Sequence, residues 1–337
     1  MKKKLITLTV LFALSVVLFS GCNASEPASQ ESPENDEIVS EESDQVDSAE
    51  SEISITEPAD GFRVLIAGSG SPQISADRAQ PGVLVQYQDK YFMVDCGDGS
   101  VETLAESGVR LNQLENMLFT HQHTDHNADF WTFFMGGSVT AMPRETLTMV
   151  GPDVDELLNA TLDYYKDDID QRIEGLNLTN DAAVYGTTTM NLTEDTTFEL
   201  DGVTISTMWL PHGLDNYAYK FEADGQSVVI SGDFKDNPTT LADFAKDADI
   251  FVVDAMLTST FDYIPNEEAR AGLKKTLEVS HSTEDVVLDI ITNSGAKKMV
   301  LTHLGGSSGI EETAPALESM GYEGDVLAAE DGLIIEP

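Results

Sequence analysis

The chain has 337 residues and a formal net charge of −42, from 60 acidic and 18 basic residues. A chain this acidic repels polyphosphate backbones, which argues against nucleic acid as a partner. It contains only two cysteines, so no disulfide framework is expected to support the fold.

The first 22 residues are typical of an export signal. Residues 1–4 are basic at three positions, Leu5–Phe19 is almost continuously apolar, and Ser20-Gly21-Cys22 follows. The apolar run is short for a transmembrane helix. Small residues before a cysteine resemble a bacterial lipoprotein cleavage site, which predicts that Cys22 is lipidated and that the protein is anchored at the extracytoplasmic face of the cell membrane. Ordinary signal cleavage or a retained membrane anchor are the alternatives.

Two further regions follow the signal. Residues 23–60 contain thirteen acidic residues and no Lys or Arg, together with many Ser and Pro. This composition predicts a disordered tether, because too little apolar surface is present to offset the entropy of ordering. Residues 61–337 retain a net charge of about −32 and are long enough for one large domain.

The domain is predicted to alternate strands and helices. Short apolar runs predict strands at Phe62–Ala67, Val83–Tyr87, Tyr91–Asp95, Asn116–Thr120, Leu147–Val150, Phe198–Leu200, Val203–Leu210, Tyr217–Glu222, Ser227–Ile230, Ile250–Asp254 and Met299–Thr302. Helices are predicted at Val101–Ser107, from Thr124 through Met135, and at Val154–Ile173, Thr239–Ala245 and Thr283–Thr292. The loops Gly136–Glu145 and Ile173–Thr197 are expected to contribute to a substrate pocket.

Potential metal ligands follow several of these strands. The segment His121-Gln122-His123-Thr124-Asp125-His126 comes directly after one strand, and His212, Asp233 and His303 each come after another. Imidazole and carboxylate groups are common zinc ligands. Because strand ends can meet at one edge of a packed layer, these residues predict a metal site, with about the number of ligands that two metals need if positions for water stay open.

The order of these residues resembles the metallo-β-lactamase superfamily. The resemblance implies an α/β (α+β) fold, a four-layer αββα sandwich with the metals at one edge. It also implies that His121, His123 and His212 hold a first zinc ion, that Asp125, His126 and His303 hold a second, and that Asp233 bridges them. An Asp at the bridging position is typical of the phosphodiesterase-like and thioester-hydrolase-like branches rather than of true β-lactamases.

A narrower resemblance runs from about Phe62 to Gly306. The motifs are similar to those of ribonuclease Z and its arylsulfatase-type and cyclic-nucleotide phosphodiesterase relatives; they are Gly68–Pro72 with Arg78, Val94–Gly99, Met149–Pro152, Ser280–Thr283 and Leu301–His303. This resemblance implies that His281 lies near the metals and assists catalysis. The alternative is that His281 merely precedes a helix capped through Ser282.

Some residues depart from the ribonuclease Z pattern. Asp129 occupies a position where many superfamily members have Gly, and Asp254 replaces the usual Glu. A long Lys-rich arm that could grip a substrate is missing from the sequence. These departures, with the acidic charge, argue against transfer RNA as the substrate.

The expected chemistry follows from a metal pair. Two zinc ions about 3.5–4 Å apart can hold a bridging hydroxide as the nucleophile, with Asp125, Asp233 and His281 as the catalytic residues. Asp95 is expected either to orient a ligand imidazole or to cap a strand end. Manganese or iron could replace zinc, and the oligomeric state is open, with a homodimer as one alternative.

The resulting hypothesis is an exported, lipid-anchored dinuclear zinc hydrolase of a small anionic substrate, either a phosphodiester or a sulfate ester. A thioester, lactone or β-lactam hydrolase of the same fold is the alternative enzyme. A surface lipoprotein that binds zinc or another ligand without catalysis is the alternative of a different class.

Overall fold

The structure is a computed structural model that describes residues 54–306 and 324–337. The predicted signal peptide, the lipidation site Cys22 and most of the predicted tether lie outside the described residues. Among the described residues, every helix is too short or too polar to cross a bilayer.

The described strands form two sheets of seven. The first sheet has the spatial order β14 (Ile334–Ile335), β1 (Phe62–Gly68), β2 (Gly82–Tyr87), β3 (Lys90–Val94), β4 (Asn116–Leu118), β5 (Thr148–Gly151) and β6 (Thr188–Asn191). The second has the order β13 (Asp325–Ala328), β12 (Lys298–Thr302), β11 (Ile250–Asp254), β10 (Gln226–Ile230), β9 (Asn216–Ala223), β8 (Val203–Leu210) and β7 (Thr197–Leu200).

Each sheet combines an antiparallel and a parallel part. Strands β1 to β3 are antiparallel and β3 to β6 are parallel. In the second sheet, β7 to β10 are antiparallel and β10 to β13 are parallel. The carboxyl ends of neighbouring parallel strands therefore point to the same edge of each sheet.

Helices cover the outer faces of both sheets. Those in the first half of the domain are α1 (Ser100–Glu106), α2 (Thr124–Asn127), α3 (Phe130–Ser138), α4 (Val154–Tyr164), α5 (Lys166–Asp170) and α6 (Asp181–Tyr185). Those in the second half are α7 (Pro238–Phe244), α8 (Glu267–Leu277) and α9 (Glu284–Ser294).

Strand β1 shows how the layers arise from the sequence. Successive side chains of a strand point to opposite faces, so Val64 and Ile66 enter the core between the sheets while Leu65 and Ala67 enter the core beneath the helices. The central core is closed by contacts across the sheets, such as the Phe92 and Phe221 rings at 5.6 Å. With a third core beneath α7 and α9, the chain has the four-layer αββα architecture, which confirms the predicted fold class.

The eleven predicted strands are all present, and no end is shifted by more than two residues. The single helix predicted over Val154–Ile173 is wrong, because α4 ends at Tyr164, α5 starts at Lys166 and a wider turn follows. The neighbouring residues Tyr164 and Tyr165 both contact the ring of Trp131. Adjacent side chains on a regular helix point in different directions. The two tyrosines contact the same ring at the point where the helix is interrupted.

The predicted boundary between tether and domain is also too late in the sequence. Ile55 is buried in the core beneath the helices of the first sheet, and its carbonyl accepts a hydrogen bond from the Tyr91 hydroxyl at 3.1 Å. The Arg63 guanidinium donates to the carbonyls of Ser54 and Glu57. The last residues assigned to the tether are therefore part of the folded domain.

Asp129 lies between α2 and α3 and joins them to α1. Its carboxylate accepts hydrogen bonds from the backbone N–H groups of Gly99 at 2.9 Å and Val101 at 3.3 Å, at the amino end of α1. Its own N–H donates to the Cys96 carbonyl at 2.9 Å. Burial, opposed by these backbone bonds and supported by the nearby Glu102, raises the pKa of Asp129 to about 6.

The substitution Asp129→Asn tests this cap. A carboxyl whose pKa rises on folding destabilises the folded state as it ionises, here between about pH 4 and pH 6. Asparagine keeps an oxygen acceptor and does not ionise. The free energy of unfolding of the variant, minus that of the wild type, should therefore be larger at pH 7.5 than at pH 4.5 by on the order of 1 kcal/mol, after allowance for solvent screening.

The measurement is urea unfolding of both proteins after metal removal, so that metal binding does not contribute to the pH dependence. A difference that is independent of pH, or larger at pH 4.5, contradicts the raised pKa of the Asp129 carboxyl.

Candidate metal centre

Strand β4 carries the histidine segment to the edge of the first sheet. The buried Phe119 follows the strand and packs edge-on against Phe130 of α3 at 5.6 Å. The chain then turns into α2, where the N–H of His126 donates to the His123 carbonyl at 3.0 Å. This single helical turn buries the side chains of Asp125 and His126. The Asp125 carboxylate lies 3.2 Å from His303, which follows a strand of the second sheet.

Asp95 holds this segment in place from the end of β3. Its carboxylate accepts hydrogen bonds from the Thr120 N–H at 2.8 Å, the Thr120 hydroxyl at 2.7 Å and the His126 Nδ1–H at 2.8 Å. Its backbone has φ of +60°, a left-handed conformation that aspartate tolerates better than most residues. Both functions considered for Asp95 are present, because it caps the strand end and also orients an imidazole.

Four strands of the second sheet supply the opposite side. His212 follows β8, Asp233 follows β10, Asp254 ends β11 and His303 follows β12. Strands β10, β11 and β12 are parallel neighbours, which explains why residues far apart in sequence meet at one edge. His281 enters from the segment before α9 and lies beside Asp254.

Asp233 is at the middle of the cluster and is 2% exposed. Five imidazoles surround its carboxylate. Its Oδ2 atom lies 3.8, 3.6 and 3.9 Å from the Nε2 atoms of His121, His212 and His281. Its Oδ1 atom lies 3.3 Å from the Nε2 atoms of His126 and His303. Each oxygen therefore faces a different set of histidines.

Hydrogen bonds on the outer side of the rings define which nitrogens face inward with a lone pair. The Nδ1–H of His121 donates to the Thr120 hydroxyl at 3.0 Å, since that hydroxyl donates its own proton to Asp95. The Nδ1–H of His212 donates to the Ser280 carbonyl at 2.8 Å, and that of His126 to Asp95. In the neutral imidazoles, Nε2 is then an acceptor directed into the cluster.

The inward nitrogens lie unusually close together. His123 Nδ1 is 2.9 Å from His121 Nε2 and 3.1 Å from His212 Nε2. On the other side of Asp233, His126 Nε2 is 3.3 Å from His303 Nε2. One proton on His123 could satisfy only one of its two neighbours, whereas a cation among the three nitrogens would satisfy all of them.

The pKa shifts agree with a cation-binding cluster. Burial and neighbouring histidines lower the pKa values of His121, His123 and His212, so these rings are neutral ligands near pH 7. Burial opposes a charge on His126, but Asp233 and Asp95 raise its pKa well above the ordinary value. His126 would therefore have to lose a proton to serve as a metal ligand.

Three overlapping groups of side chains have ligand atoms close enough to share an ion. They are His121, His123, His212 and Asp233; Asp125, His126 and His303; and Asp233, Asp254, His281 and His303. All seven predicted ligands are among them. The nitrogen and carboxylate donors fit zinc, and buried carboxylates such as Asp233 and Asp125 require compensating positive charge. The assignment of each ligand to a particular ion stays a prediction.

Sequence reasoning missed the function of Asp254. Its Oδ2 accepts a hydrogen bond from the His281 Nδ1–H at 2.8 Å, and its Oδ1 accepts one from the Met256 N–H at 3.0 Å. The sequence showed only that Asp254 replaces the usual Glu. The available signal for its hydrogen bond to a histidine was that Asp254, like Asp95, lies at the end of a buried strand.

Several known proteins resemble the chain. Ribonuclease Z of Mycobacterium bovis BCG Pasteur is 29% identical over 278 residues, which cover 80% of this chain and 96% of that protein. The metallo-β-lactamase fold protein YhfI of Bacillus subtilis superposes with a TM-score of 0.62 at 20% identity, over 82% of this chain and 99% of YhfI. Zinc-bound PqqB of Methylobacterium extorquens has a TM-score of 0.59 at 14% identity, over 82% and 100% of the two chains.

The fold and the histidine–aspartate cluster define a metal-dependent hydrolase of the metallo-β-lactamase fold. Residues 62–279 match the family described as Anti-Pycsar protein Apyc1. The chain belongs to that family.

The contact between Gly97 and the histidine segment provides a test of the site. A Cβ atom on Gly97 would lie 2.1 Å from the Asp125 carbonyl oxygen, too close for the α2 turn to keep its position. Gly97→Ala should therefore lower the free energy of unfolding by about 1–3 kcal/mol and weaken zinc binding roughly tenfold or more.

Gly272→Ala is the matched control, because Gly272 lies within α8 and a Cβ there meets no atom within 4 Å. The control should leave zinc affinity unchanged and stabilise the protein by about 0.4–1 kcal/mol. Unfolding of the metal-free proteins and competition with a zinc chelator measure both quantities. Wild-type zinc affinity in Gly97→Ala would show that this contact does not position the ligands.

Proposed function

We propose that the protein is an exported, lipid-anchored dinuclear zinc hydrolase that cleaves small phosphodiesters. The observation that carries the proposal is the Asp254–His281 pair, which is buried against Asp233 at the edge of the metal cluster. A site that only stores or senses zinc has no need of a positioned proton donor. The pair therefore favours catalysis over binding alone.

The proposed ligands form two sets that share Asp233. His121, His123 and His212 would hold one zinc ion, and Asp125, His126 and His303 the other. Bound zinc supplies a water of lowered pKa as nucleophile and positive charge opposite the ester oxygens. The two oxygens of Asp233 support this arrangement, because Oδ2 faces His121 and His212 while Oδ1 faces His126 and His303.

His281 would protonate the leaving oxygen. Burial opposes a charge on this ring, but the Asp254 carboxylate at 2.8 Å, together with Asp233, raises the pKa of His281 to about 9. In the metal-free chain the imidazolium then predominates at pH 7. Because Nδ1–H donates to Asp254, the Nε2–H remains directed towards Asp233 and can donate to an ester oxygen there.

The chain's charge supports a small substrate. The formal net charge of −42 repels long polyanions, so transfer RNA is not proposed although the similar mycobacterial protein is a ribonuclease Z. A small phosphodiester, including a cyclic nucleotide, carries little charge for the metals to neutralise. Sulfate esters have a similar tetrahedral centre and are compared directly in the test.

The test uses the signal-free chain, residues 23–337, loaded with two equivalents of zinc. It is assayed on bis-p-nitrophenyl phosphate, a cyclic nucleotide, p-nitrophenyl sulfate and nitrocefin. We expect hydrolysis of at least one phosphodiester. The variant His281→Ala should reduce kcat about 10²–10⁴-fold because general acid catalysis is lost, and Asp254→Asn about 10–100-fold because His281 is misoriented.

Zinc content, measured for each variant, is the control, since neither substitution removes one of the seven proposed ligands. Hydrolysis of the sulfate or nitrocefin alone would reassign the substrate. No hydrolysis of any compound by fully loaded protein would favour a zinc-binding lipoprotein.

The lipid anchor has a separate test. In a bacterial host, radioactive palmitate should label the full-length protein and the protein should remain with the membrane fraction. Cys22→Ser should abolish the label, whereas Cys96→Ala should retain it, because Cys96 is fully buried and unpaired. Label that persists in Cys22→Ser would exclude this residue as the anchor.

A further inference from the structure

His303 differs from three other proposed zinc ligands in what fixes its ring. The Nδ1–H groups of His121, His126 and His212 each donate to an oxygen outside the cluster. The Nδ1 of His303 is buried and makes no hydrogen bond to any described residue, and Oδ1 of Asp254 lies 3.7 Å from it, beyond hydrogen-bond distance. The direction of the His303 side chain therefore depends on its backbone.

The backbone of His303 has a conformation that depends on its surroundings. Its φ is +61°, a left-handed value that is strained for a residue with a Cβ atom and persists only where neighbouring structure enforces it. The two residues that follow are held by hydrogen bonds. The Leu304 N–H donates to the Ser69 carbonyl at 2.9 Å, and the Gly305 N–H donates to the Ser259 hydroxyl at 2.7 Å. The contacts of this segment therefore determine where the His303 ring points.

Arg78 connects this segment with two other parts of the chain. Its Nε–H donates to the carbonyl of Gly306, which is close behind His303 in the sequence, at 3.1 Å. Its Nη1 donates to the Ser69 hydroxyl at 2.6 Å and also to the Ala329 carbonyl. One guanidinium therefore joins the segments that follow β1, β12 and β13.

Asp331 fixes the same junction through Ser69. Its Oδ1 accepts hydrogen bonds from the Ser69 N–H at 2.9 Å and from the Ser69 hydroxyl at 2.7 Å, and its Oδ2 accepts one from the Ala79 N–H. The Ser69 hydroxyl thus accepts from Arg78 and donates to Asp331. Lysine carries its donors on a single nitrogen and cannot reproduce the bonds that Arg78 makes from two nitrogen atoms. The junction therefore depends on the guanidinium and not only on its charge.

We propose that Arg78 and Asp331 are positioning residues for His303, and through it for the zinc ion assigned to Asp125, His126 and His303. The inference rests on the proposed function for this ligand set, and it does not depend on which ester is hydrolysed. The backbone of residues 304–306 transmits the effect. The histidines proposed for the other ion follow β4 and β8, outside the segments that Arg78 joins, so that ion should be insensitive to Arg78.

The test measures the affinity of each zinc ion separately. Zinc is titrated into the metal-free, signal-free chain in competition with a chromophoric chelator, which gives two stepwise dissociation constants. Arg78→Met should weaken the binding of one ion about tenfold or more and leave the other unchanged, and Arg78→Lys should behave similarly. Ser69→Ala removes only the hydroxyl and should weaken the same ion to a smaller extent. This milder variant serves if Arg78→Met does not fold.

Arg63→Met is the matched control. Arg63 also joins distant segments, because it donates to the carbonyls of Ser54 and Glu57 and pairs with Glu336 at 2.8 Å. None of these residues adjoins a proposed ligand in the sequence. The control should lower the midpoint of thermal unfolding and keep both zinc affinities. An equal loss of zinc affinity in Arg63→Met would attribute the effect to general destabilisation and overturn the inference.

Magnetic resonance of the metal-free chain provides a readout without zinc. With isotope-labelled histidine, the ring signals of His303, assigned through His303→Gln, should shift or broaden in Arg78→Met, whereas those of His121 should not. Unchanged His303 signals, or wild-type affinity for both ions in Arg78→Met and Ser69→Ala, overturn the inference. If the His303 signals shift but the wild type binds fewer than two ions, the positioning stands and the dinuclear centre of the proposed function fails. If one ion is selectively weakened but the wild type hydrolyses no ester, the positioning stands and the proposed catalysis fails.

Discussion

The buried carboxylate of Asp233 imposes the main constraint on this fold. A carboxylate that is 2% exposed needs positive charge or hydrogen-bond donors around it. Here these groups come from both sheets, because His121 and His126 follow β4, whereas His212, His281 and His303 come from the second half of the chain. The relative position of the two sheets is therefore coupled to the charge state of one side chain.

Two other aspartates divide the imidazoles by function. Asp95, at the end of β3, and Asp254, at the end of β11, each accept a hydrogen bond from the Nδ1 of one histidine at 2.8 Å. The same hydrogen bond to a strand-end aspartate orients a proposed metal ligand, His126, and a proposed proton donor, His281. The difference comes from the surroundings, since His126 Nε2 lies 3.3 Å from His303 Nε2, whereas His281 Nε2 lies 3.9 Å from Asp233 Oδ2.

The parts that the sequence predicted share a strong local signal. Apolar runs located the central strands, and the four ligand-type residues at 121–126 directly after one of them indicated a metal site. The arrangement in four layers came from the resemblance to a known superfamily. Pairing of Asp254 with His281 was missed, because it joins the end of β11 to the segment before α9 and no local sequence pattern connects the two.

Other features lacked a periodic pattern altogether. Strand β6 is mostly exposed, and β14 has only two residues. Ile55 lies in an acidic segment with few apolar residues, so its burial was not predicted from the composition. The contribution of the loops Gly136–Glu145 and Ile173–Thr197 to a substrate pocket stays a prediction.

The sequence distance between the proposed ligands has a consequence for the unfolded chain. His126 and His303 belong to one candidate metal group, so an ion held by both would close a loop of about 180 residues, and closing a long loop restricts the denatured ensemble. Cys96 is the single cysteine among the described residues and is unpaired. The ion would then act as the cross-link that disulfides provide in other proteins, and its removal would destabilise the folded chain as well as abolish the chemistry of the site.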